Sequence, residues 1–116
     1  DVFCCPSIYE PFGIINIEAM ACKTAVVASA VGGIKEVVVH GETGFLIPVE
    51  QQKSAPFEPI NPDKFAKDLA NGVNSVINNP ALRNSMAKKG RKRVEDYFDW
   101  IAIAKQVEEL YKSIKK

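Results

Sequence analysis

Residues 6–22 read PSIYEPFGIINIEAMAC, and the interpretation of the whole chain depends on them. They follow a short apolar run, Val2–Cys5, of the kind found in a strand covered on both faces. Pro6 and Pro11 interrupt that run, and apolar residues then return at helical spacing over residues 14–22. The local order is therefore strand, loop, helix, and the loop lies at the carboxyl end of the strand.

Two carboxylates stand on this loop and helix. Glu10 lies in the loop, and Glu18 follows about one turn inside a helix that is otherwise almost wholly apolar. The free amides of a helix N-terminus bind anions such as a diphosphate, and Gly13 lets a ligand approach that backbone closely. Carboxylates accept hydrogen bonds from hydroxyl groups, which sugars supply in pairs. The pattern therefore favours a nucleotide sugar.

The same two glutamates have a plainer interpretation. A glutamate in the first turns of a helix is stabilised by the helix dipole alone, by about 0.3–1 kcal/mol, and Glu10 is then only a solvated loop residue. Against this, Glu18 is flanked by Ile17 and Ala19, and a charge buried among apolar groups is unfavourable unless it is paired. We therefore expect Glu18 to have a partner.

The residues around the two glutamates resemble a known signature. Glu10-Pro11-Phe12-Gly13 with Glu18-Ala19-Met20-Ala21 is similar to the E-x7-E motif of the retaining family-four glycosyltransferases. The resemblance continues through VVAS at 26–29, GGI at 32–34, EVV at 36–38 and TGFL at 43–46. Within that family the chain looks most like bacterial glycogen synthases, on YEPFGI at 9–14 and on the segment 51–59.

The resemblance implies a fold and a reaction. The fold is GT-B, in which two Rossmann-like domains face each other, and this chain is the C-terminal half of the nucleotide-sugar-binding domain. The reaction is transfer of glucose from ADP-glucose or UDP-glucose to a glucan, with retention at the anomeric carbon. No cofactor and no metal are implied. Other family-four transferases with sucrose-type or lipid-linked acceptors, and a non-catalytic nucleotide-binding module, remain alternatives.

The resemblance also implies roles for individual residues. Glu10 is the catalytic position, where it holds hydroxyl groups of the donor sugar rather than attacking it, and Glu18 binds the ribose. The other donor-binding residues are Pro11, Phe12, Gly13 and Ile14. Residues 1–22 contain no Lys or Arg, and the resemblance places the basic diphosphate-binding pair earlier in the domain. We therefore expect the glucan to bind through a missing N-terminal domain and this fragment alone to be inactive.

Composition limits the other classes of function. The chain has 116 residues, of which 47% are hydrophobic and 25% charged, with a formal net charge of +1. These fractions are typical of one globular domain. The basic run at residues 88–93 lacks a global positive field, so we expect a solvated helix face and no nucleic-acid partner. No apolar run approaches the roughly 18 residues needed to span a bilayer.

The cysteines indicate a cellular compartment. Cys4, Cys5 and Cys22 lie in apolar runs, where cysteine commonly behaves as a small hydrophobe. None has the spacing of a metal site. We therefore expect buried, reduced thiols and a cytoplasmic protein.

Later segments predict the rest of the architecture. Short apolar runs at residues 25–28 and 45–47 predict strands, and residues 34–39 predict a short helix between them. This alternation predicts an α/β fold with about three strands of a doubly wound parallel sheet, and a ligand site outside the carboxyl ends of the strands.

The second half of the chain is expected to be helical. Three capping positions predict three C-terminal helices. These starts are Asn61-Pro62, Asn79-Pro80 and Asp99. The single fragment therefore divides into a strand and helix part (1–48), an irregular loop (49–61) and a helical part (62–116).

Three further features of the sequence carry expectations of their own. We interpret His40 as a helix-end residue. Gly32 and Gly33 are interpreted as a linker between strand and helix, with a close approach to the nucleotide as the alternative. The last helix carries a broad apolar stripe over residues 100–114, so we expect the isolated fragment to self-associate through it or to fray there.

Overall fold

The computed structural model describes residues 1–115. Three strands form one parallel sheet in the order β1-β2-β3. The strands are β1 (Val2–Cys5), β2 (Ala25–Ser29) and β3 (Gly44–Ile47). Val2 lies opposite Ala25, and Val26 lies opposite Gly44. The carboxyl ends of all three strands therefore meet at one edge of the sheet.

Helices connect and cover the strands. The crossover helices are α1 (Ile14–Ala21), between β1 and β2, and α2 (Ile34–Val37), between β2 and β3. The C-terminal helices are α3 (Pro62–Ile77), α4 (Pro80–Arg93) and α5 (Trp100–Ile114). Between the last two, Val94–Phe98 forms one π-helical stretch. The predicted class, three strands of a doubly wound parallel sheet followed by three helices, is confirmed.

The core has two layers, one on each face of the sheet. Alternate residues of β2 point to opposite faces because the side-chain period of a strand is two. Val26 and Ala28 pack with Met20 and Ile34 under α1 and α2. The other face packs against α3 and α4. Its fully buried members include Val27, Val76 and Met86.

The expectation that β1 is covered on both faces holds in part, because Phe3 and Val2 are half-buried against opposite core layers. Every residue of β2 is buried, whereas in β1 only Cys5 is buried and Cys4 is exposed. The reason is position, because β1 is an edge strand with a single neighbour. Apolar composition predicted the strand but not its place in the sheet.

The three thiols differ in their exposure to solvent. Cys5 is buried, but Cys4 and Cys22 are exposed, so the expectation of three buried thiols is wrong for two of them. The pKa of the Cys4 thiol is raised, mainly because the thiol is partly desolvated and to a smaller extent because Cys5 lies next to it. Its reactive thiolate is therefore less populated than that of an ordinary cysteine.

Residues 1–115 hold no group of three or more histidine, cysteine or acidic side chains placed to bind a metal ion. None of the helices in this range combines the length and the apolar character that a bilayer crossing requires.

The three predicted helix starts are present. Asn61 Oδ1 accepts a hydrogen bond from the Lys64 amide at 3.1 Å, and Asn79 Oδ1 accepts one from Leu82 at 3.1 Å. The carboxylate of Asp99 caps α5 in the same way, at 2.7 Å from the Ala102 amide. Each cap satisfies an amide that has no partner inside its helix.

His40 is not a helix-end residue. Helix α2 ends at Val37, because Val38 adopts extended backbone angles. Three residues beyond the helix, His40 Nδ1 accepts a hydrogen bond from the Leu46 amide at 3.0 Å. The imidazole therefore supports the second half of β3 rather than the dipole of α2.

Two arginines of the basic run bind the ends of other helices. Arg91 Nη1 donates to the carbonyl of Ala21, at the end of α1, at 2.7 Å. Arg93 donates from Nε to the Val37 carbonyl at 2.8 Å and from Nη2 to the Glu36 carbonyl at 2.7 Å, at the end of α2. The last carbonyls of a helix lack internal partners and carry the negative end of its dipole. Arg93 is therefore half-buried rather than fully solvated, whereas Arg91 forms its hydrogen bond while it stays exposed.

Arg93→Ala is expected to lower the free energy of unfolding by about 2–3 kcal/mol, because hydrogen bonds from a charged donor contribute about 1.5–3 kcal/mol. Lys92→Ala is the matched control, since Lys92 is exposed and, within residues 1–115, forms an ion pair with Asp96 alone, at 3.1 Å. That change should cost less than about 1 kcal/mol. Urea unfolding of both variants measures the difference, and equal losses would show that the arginine contacts contribute little.

The last helix leaves its apolar stripe in solvent. Ala102 is buried against the domain, but 87% of Trp100 and 57% of Leu110 are exposed, as are Tyr111 and Ile114. Self-association through this stripe stays a prediction.

Candidate functional site

A single loop follows β1 and runs to the start of α1 at the carboxyl edge of the sheet. Gly13 closes this loop with φ +96°, in the left-handed region. A Cβ at this position would lie 2.9 Å from Asn16 Nδ2 and 3.3 Å from Ile34 Cγ1. Glycine therefore fits here on two grounds, backbone angle and space.

The N-terminus of α1 is open. The amides of Gly13, Ile14 and Ile15 form no hydrogen bond within residues 1–115, and the first bonded amide is that of Asn16, to the Gly13 carbonyl at 3.0 Å. Ile14 and Ile15 are exposed at 61% and 47%. Unpaired amides at the positive end of a helix dipole form an anion-binding site. The geometry therefore suits a phosphate group at this position.

Glu10 lies beside that helix start. Its side chain is half-buried, and a Cβ built on Gly13 would lie 3.6 Å from Glu10 Cγ. Its carbonyl accepts a hydrogen bond from the Gly33 amide at 3.1 Å. Glu10 also lines a hollow of about 310 Å³, which we call the loop hollow and which includes Tyr9, Gln51 and Phe57.

Glu18 is exposed, so the expectation that apolar neighbours bury it is wrong. The buried positions of α1 are Asn16 and Met20. Glu18 lies two residues from each of these buried positions, so its side chain is rotated about 200° away from theirs around the helix axis. It therefore shares the outer face of α1 with Ile14 and Ile15, and none of the ion pairs among residues 1–115 includes it.

Asn16 is a buried polar residue that sequence reasoning missed. It is fully buried, Nδ2 donates to Cys5 Sγ at 3.7 Å, and Oδ1 has no partner among the described residues. Cys5 Sγ lies 3.4 Å from Ser7 Oγ, and Ser29 Oγ donates to the Cys5 carbonyl at 3.2 Å and to that of Ser7. This network joins the ends of β1 and β2 to α1. The sequence signal for the burial of Asn16 was its position four residues before Met20, which places both side chains on the same face of α1.

Gly32 and Gly33 do more than link β2 to α2. A Cβ on Gly33 would lie 2.3 Å from the Pro11 carbonyl oxygen and 2.4 Å from Phe12 Cα. One on Gly32 would lie 2.0 Å from the Glu10 carbonyl oxygen. The close approach is therefore to the backbone of the Glu10 loop, which rests directly on the glycine pair.

A second support for the loop comes from the end of the helical part. The rings of Phe12 and Phe98 meet edge to face, with centroids 6.2 Å apart and planes at 71°. The guanidinium of Arg93 lies 5.4 Å from the centroid of Phe98. An apolar groove of about 330 Å³ beside α1 includes Phe12, Ile14 and Trp100. Residues far apart in sequence therefore position the short loop that carries Glu10.

Comparison with known proteins identifies the family. Residues 1–56 match the family model of glycosyl transferases group 1. The chain belongs to this family. An alpha-maltose-1-phosphate synthase from Mycolicibacterium smegmatis is 44% identical over 113 residues, which cover 97% of this chain and 27% of the synthase. A glycogen synthase from Mycobacterium tuberculosis is 34% identical, over 96% of the chain and 23% of that enzyme.

Solved structures of transferases show the same arrangement. Sucrose-phosphate synthase from Thermosynechococcus elongatus superposes with a TM-score of 0.75 at 42% identity, over 97% of this chain and 25% of the synthase. Anabaena Alr3699/HepE in complex with UDP-glucose gives a TM-score of 0.73 at 30% identity, over 98% of this chain and 28% of that chain. The group 1 chain described here thus spans about a quarter of the length of the relatives it matches. The family resemblance and the fold are confirmed.

Proposed function

We propose that this chain is the donor-binding part of a group 1 glycosyltransferase that uses a nucleotide sugar. The observation that carries the proposal is the open N-terminus of α1, with three unpaired amides beside the half-buried Glu10. Glu18 stands on the outer face of the same helix. One site therefore offers donors for a diphosphate and two carboxylates for hydroxyl groups.

Each part of the donor has a counterpart in this arrangement. The diphosphate binds the amides of Gly13, Ile14 and Ile15, which lie at the positive end of the helix dipole. Glu10, beside Gly13, accepts hydrogen bonds from the sugar, and Pro11 and Phe12 shape the loop around it. Glu18 accepts hydrogen bonds from the ribose, about one turn along α1.

The proposed reaction is retaining transfer of a hexosyl unit, in which Glu10 positions the donor rather than forming a bond to it. Residues 1–22 contain no Lys or Arg to neutralise the diphosphate leaving group. We assign those cations and the acceptor site to other parts of a longer protein, so the chain alone is expected not to turn over substrate. No metal or cofactor takes part in the proposed step.

Glucose from UDP-glucose or ADP-glucose is the proposed donor unit, and a glucan is the proposed acceptor. Support for the donor is the likeness to Alr3699/HepE, whose structure holds UDP-glucose. A second candidate product is a sugar phosphate. It is favoured because alpha-maltose-1-phosphate synthase and sucrose-phosphate synthase are 44% and 42% identical to this chain, against 34% for glycogen synthase.

Glu18→Ala in the full-length protein tests the proposal. We expect UDP-glucose or ADP-glucose to bind about tenfold more weakly, a loss of about 1.4 kcal/mol, because the ribose loses a charged acceptor. Glu42→Ala is the matched control, since Glu42 is exposed in the turn before β3, at the amino ends of the strands. Calorimetry measures both affinities.

One result would contradict the proposed donor site, and a second measurement separates the two candidate products. Equal donor affinity in wild type and both variants would contradict the proposed site. Radiolabelled transfer by the wild-type protein to a glucan or to a hexose phosphate separates the two proposed products.

A further inference from the structure

The loop at residues 49–61 contains no strand, but one antiparallel bridge closes it into a hairpin. The Gln52 amide donates to the Glu58 carbonyl at 2.9 Å, and the Ile60 amide donates to the Glu50 carbonyl at 2.8 Å. Gln51 and Pro59 face each other as an antiparallel pair. The hairpin therefore holds a defined surface, which its proline-rich sequence did not predict.

The hairpin is attached to the loop that carries Glu10. Gln51 Nε2 donates both to the Phe57 carbonyl, at 2.8 Å, and to the carbonyl of Ile8. The rings of Phe57 and Tyr9 stack with centroids 6.2 Å apart and planes 14° apart. Phe57 has φ +61°, a backbone conformation that is unfavourable for an aromatic residue and must be held by its contacts. One amide side chain and one ring pair thus fix the hairpin beside the site.

The loop hollow lies between these two segments. Its volume of about 310 Å³ is within the range of small-ligand sites. Its walls are mostly apolar, with Tyr9 and Phe57 as the large surfaces and Glu10 and Gln51 as the polar groups. Tyr9 is 68% exposed, so most of its surface is open to a ligand. Sugar rings present C–H faces and hydroxyl edges, which match an aromatic surface bordered by a carboxylate.

We propose that Tyr9 and Phe57 form a stacking platform for a hexose ring, with Glu10 and Gln51 at its edge. This rests on the proposed function, since it extends the same donor site. The residues that line the hollow do not include Gly13, Ile14 or Ile15, so the platform is distinct from the proposed diphosphate site and shares Glu10 with the donor site. The ring belongs either to the donor or to the one end of the acceptor that must reach the donor, whereas the rest of the acceptor binds elsewhere; both rings are hexoses in the proposed reaction.

Tyr9→Ala and Phe57→Ala in the full-length protein test the platform. We expect each to raise the KM for one sugar substrate about five- to tenfold with kcat changed less than about twofold, because stacking contributes to ground-state and transition-state binding alike. A raised acceptor KM assigns the ring to the acceptor, and a raised donor KM assigns it to the donor. Tyr9→Phe keeps the ring and should restore wild-type values.

Ile60→Ala is the matched control, because Ile60 is exposed on the same hairpin and lies outside the hollow. Thermal melting of every variant separates loss of binding from unfolding, and Tyr9→Phe keeps the test valid if the alanine variants are unstable. Unchanged KM values in folded Tyr9→Ala and Phe57→Ala, or an equal rise in Ile60→Ala, would overturn the platform. Absence of nucleotide-sugar binding in wild type would instead contradict the proposed function.

Discussion

Glu10→Gln in the full-length protein should lower kcat/KM for sugar transfer by about a hundredfold to a thousandfold, the loss typical of removing one preorganised polar group from a transition state. The amide has the shape of the carboxylate but lacks its charge and one of its acceptor oxygens. Because Glu10 is half-buried, water replaces the lost interaction poorly. Steady-state kinetics with the nucleotide sugar measures the change.

Glu42→Gln controls for the loss of one negative charge. Glu42 is exposed at the opposite edge of the sheet, so we expect its kinetics to match wild type within about twofold. A decrease of less than about threefold in Glu10→Gln, with the fold intact by circular dichroism, would remove Glu10 from the proposed catalytic position.

Gly33→Ala has the second large expected effect. The added methyl would lie 2.3 Å from the Pro11 carbonyl oxygen and 2.4 Å from Phe12 Cα. Both contacts are to backbone, so the Glu10 loop must move away, and its hydrogen bond to the Gly33 amide lengthens. We expect a loss of about 3 kcal/mol in unfolding free energy, together with weaker donor binding.

Comparison with Gly41→Ala separates the effect of a steric clash from the effect of backbone strain. Gly33 has an ordinary helical φ of −69°, so alanine there has no conformational strain and only the clash acts. Gly41 has φ +80° but nothing within 4 Å of the position of a Cβ, so only strain acts, at about 1–2 kcal/mol. Urea unfolding compares the two. If Gly33→Ala is no more destabilised than Gly41→Ala, the loop does not rest on the glycine pair.

Local signals were predicted well from the sequence because their physics is local. The caps at Asn61, Asn79 and Asp99 each join a side chain to an amide three residues further on. The strands were predicted because an apolar run covered on both faces is typical of a parallel sheet. The E-x7-E motif likewise indicated the candidate residues before any geometry was known.

Non-local features could not be read in the same way. The exposure of Glu18 and the burial of Asn16 depend on which face of α1 meets the sheet. Arg91 and Arg93, two residues of the basic run, bind carbonyls about 56–70 positions earlier in the chain. The hydrophobic periodicity of a sequence contains no information about contacts between residues so far apart. The folding of the hairpin onto Tyr9 depends likewise on contacts across about 48 residues.

Amide hydrogen exchange at Gly13, Ile14 and Ile15 tests the donor site most directly. These amides have no hydrogen-bond partner among residues 1–115, and Gly13 is buried whereas Ile14 and Ile15 are exposed, so the amides of Ile14 and Ile15 should exchange rapidly in the free full-length protein. Saturation with UDP-glucose or ADP-glucose should slow them by at least about tenfold, because the diphosphate accepts their hydrogen bonds. Unchanged exchange at all three positions under saturating nucleotide sugar would contradict binding at the start of α1.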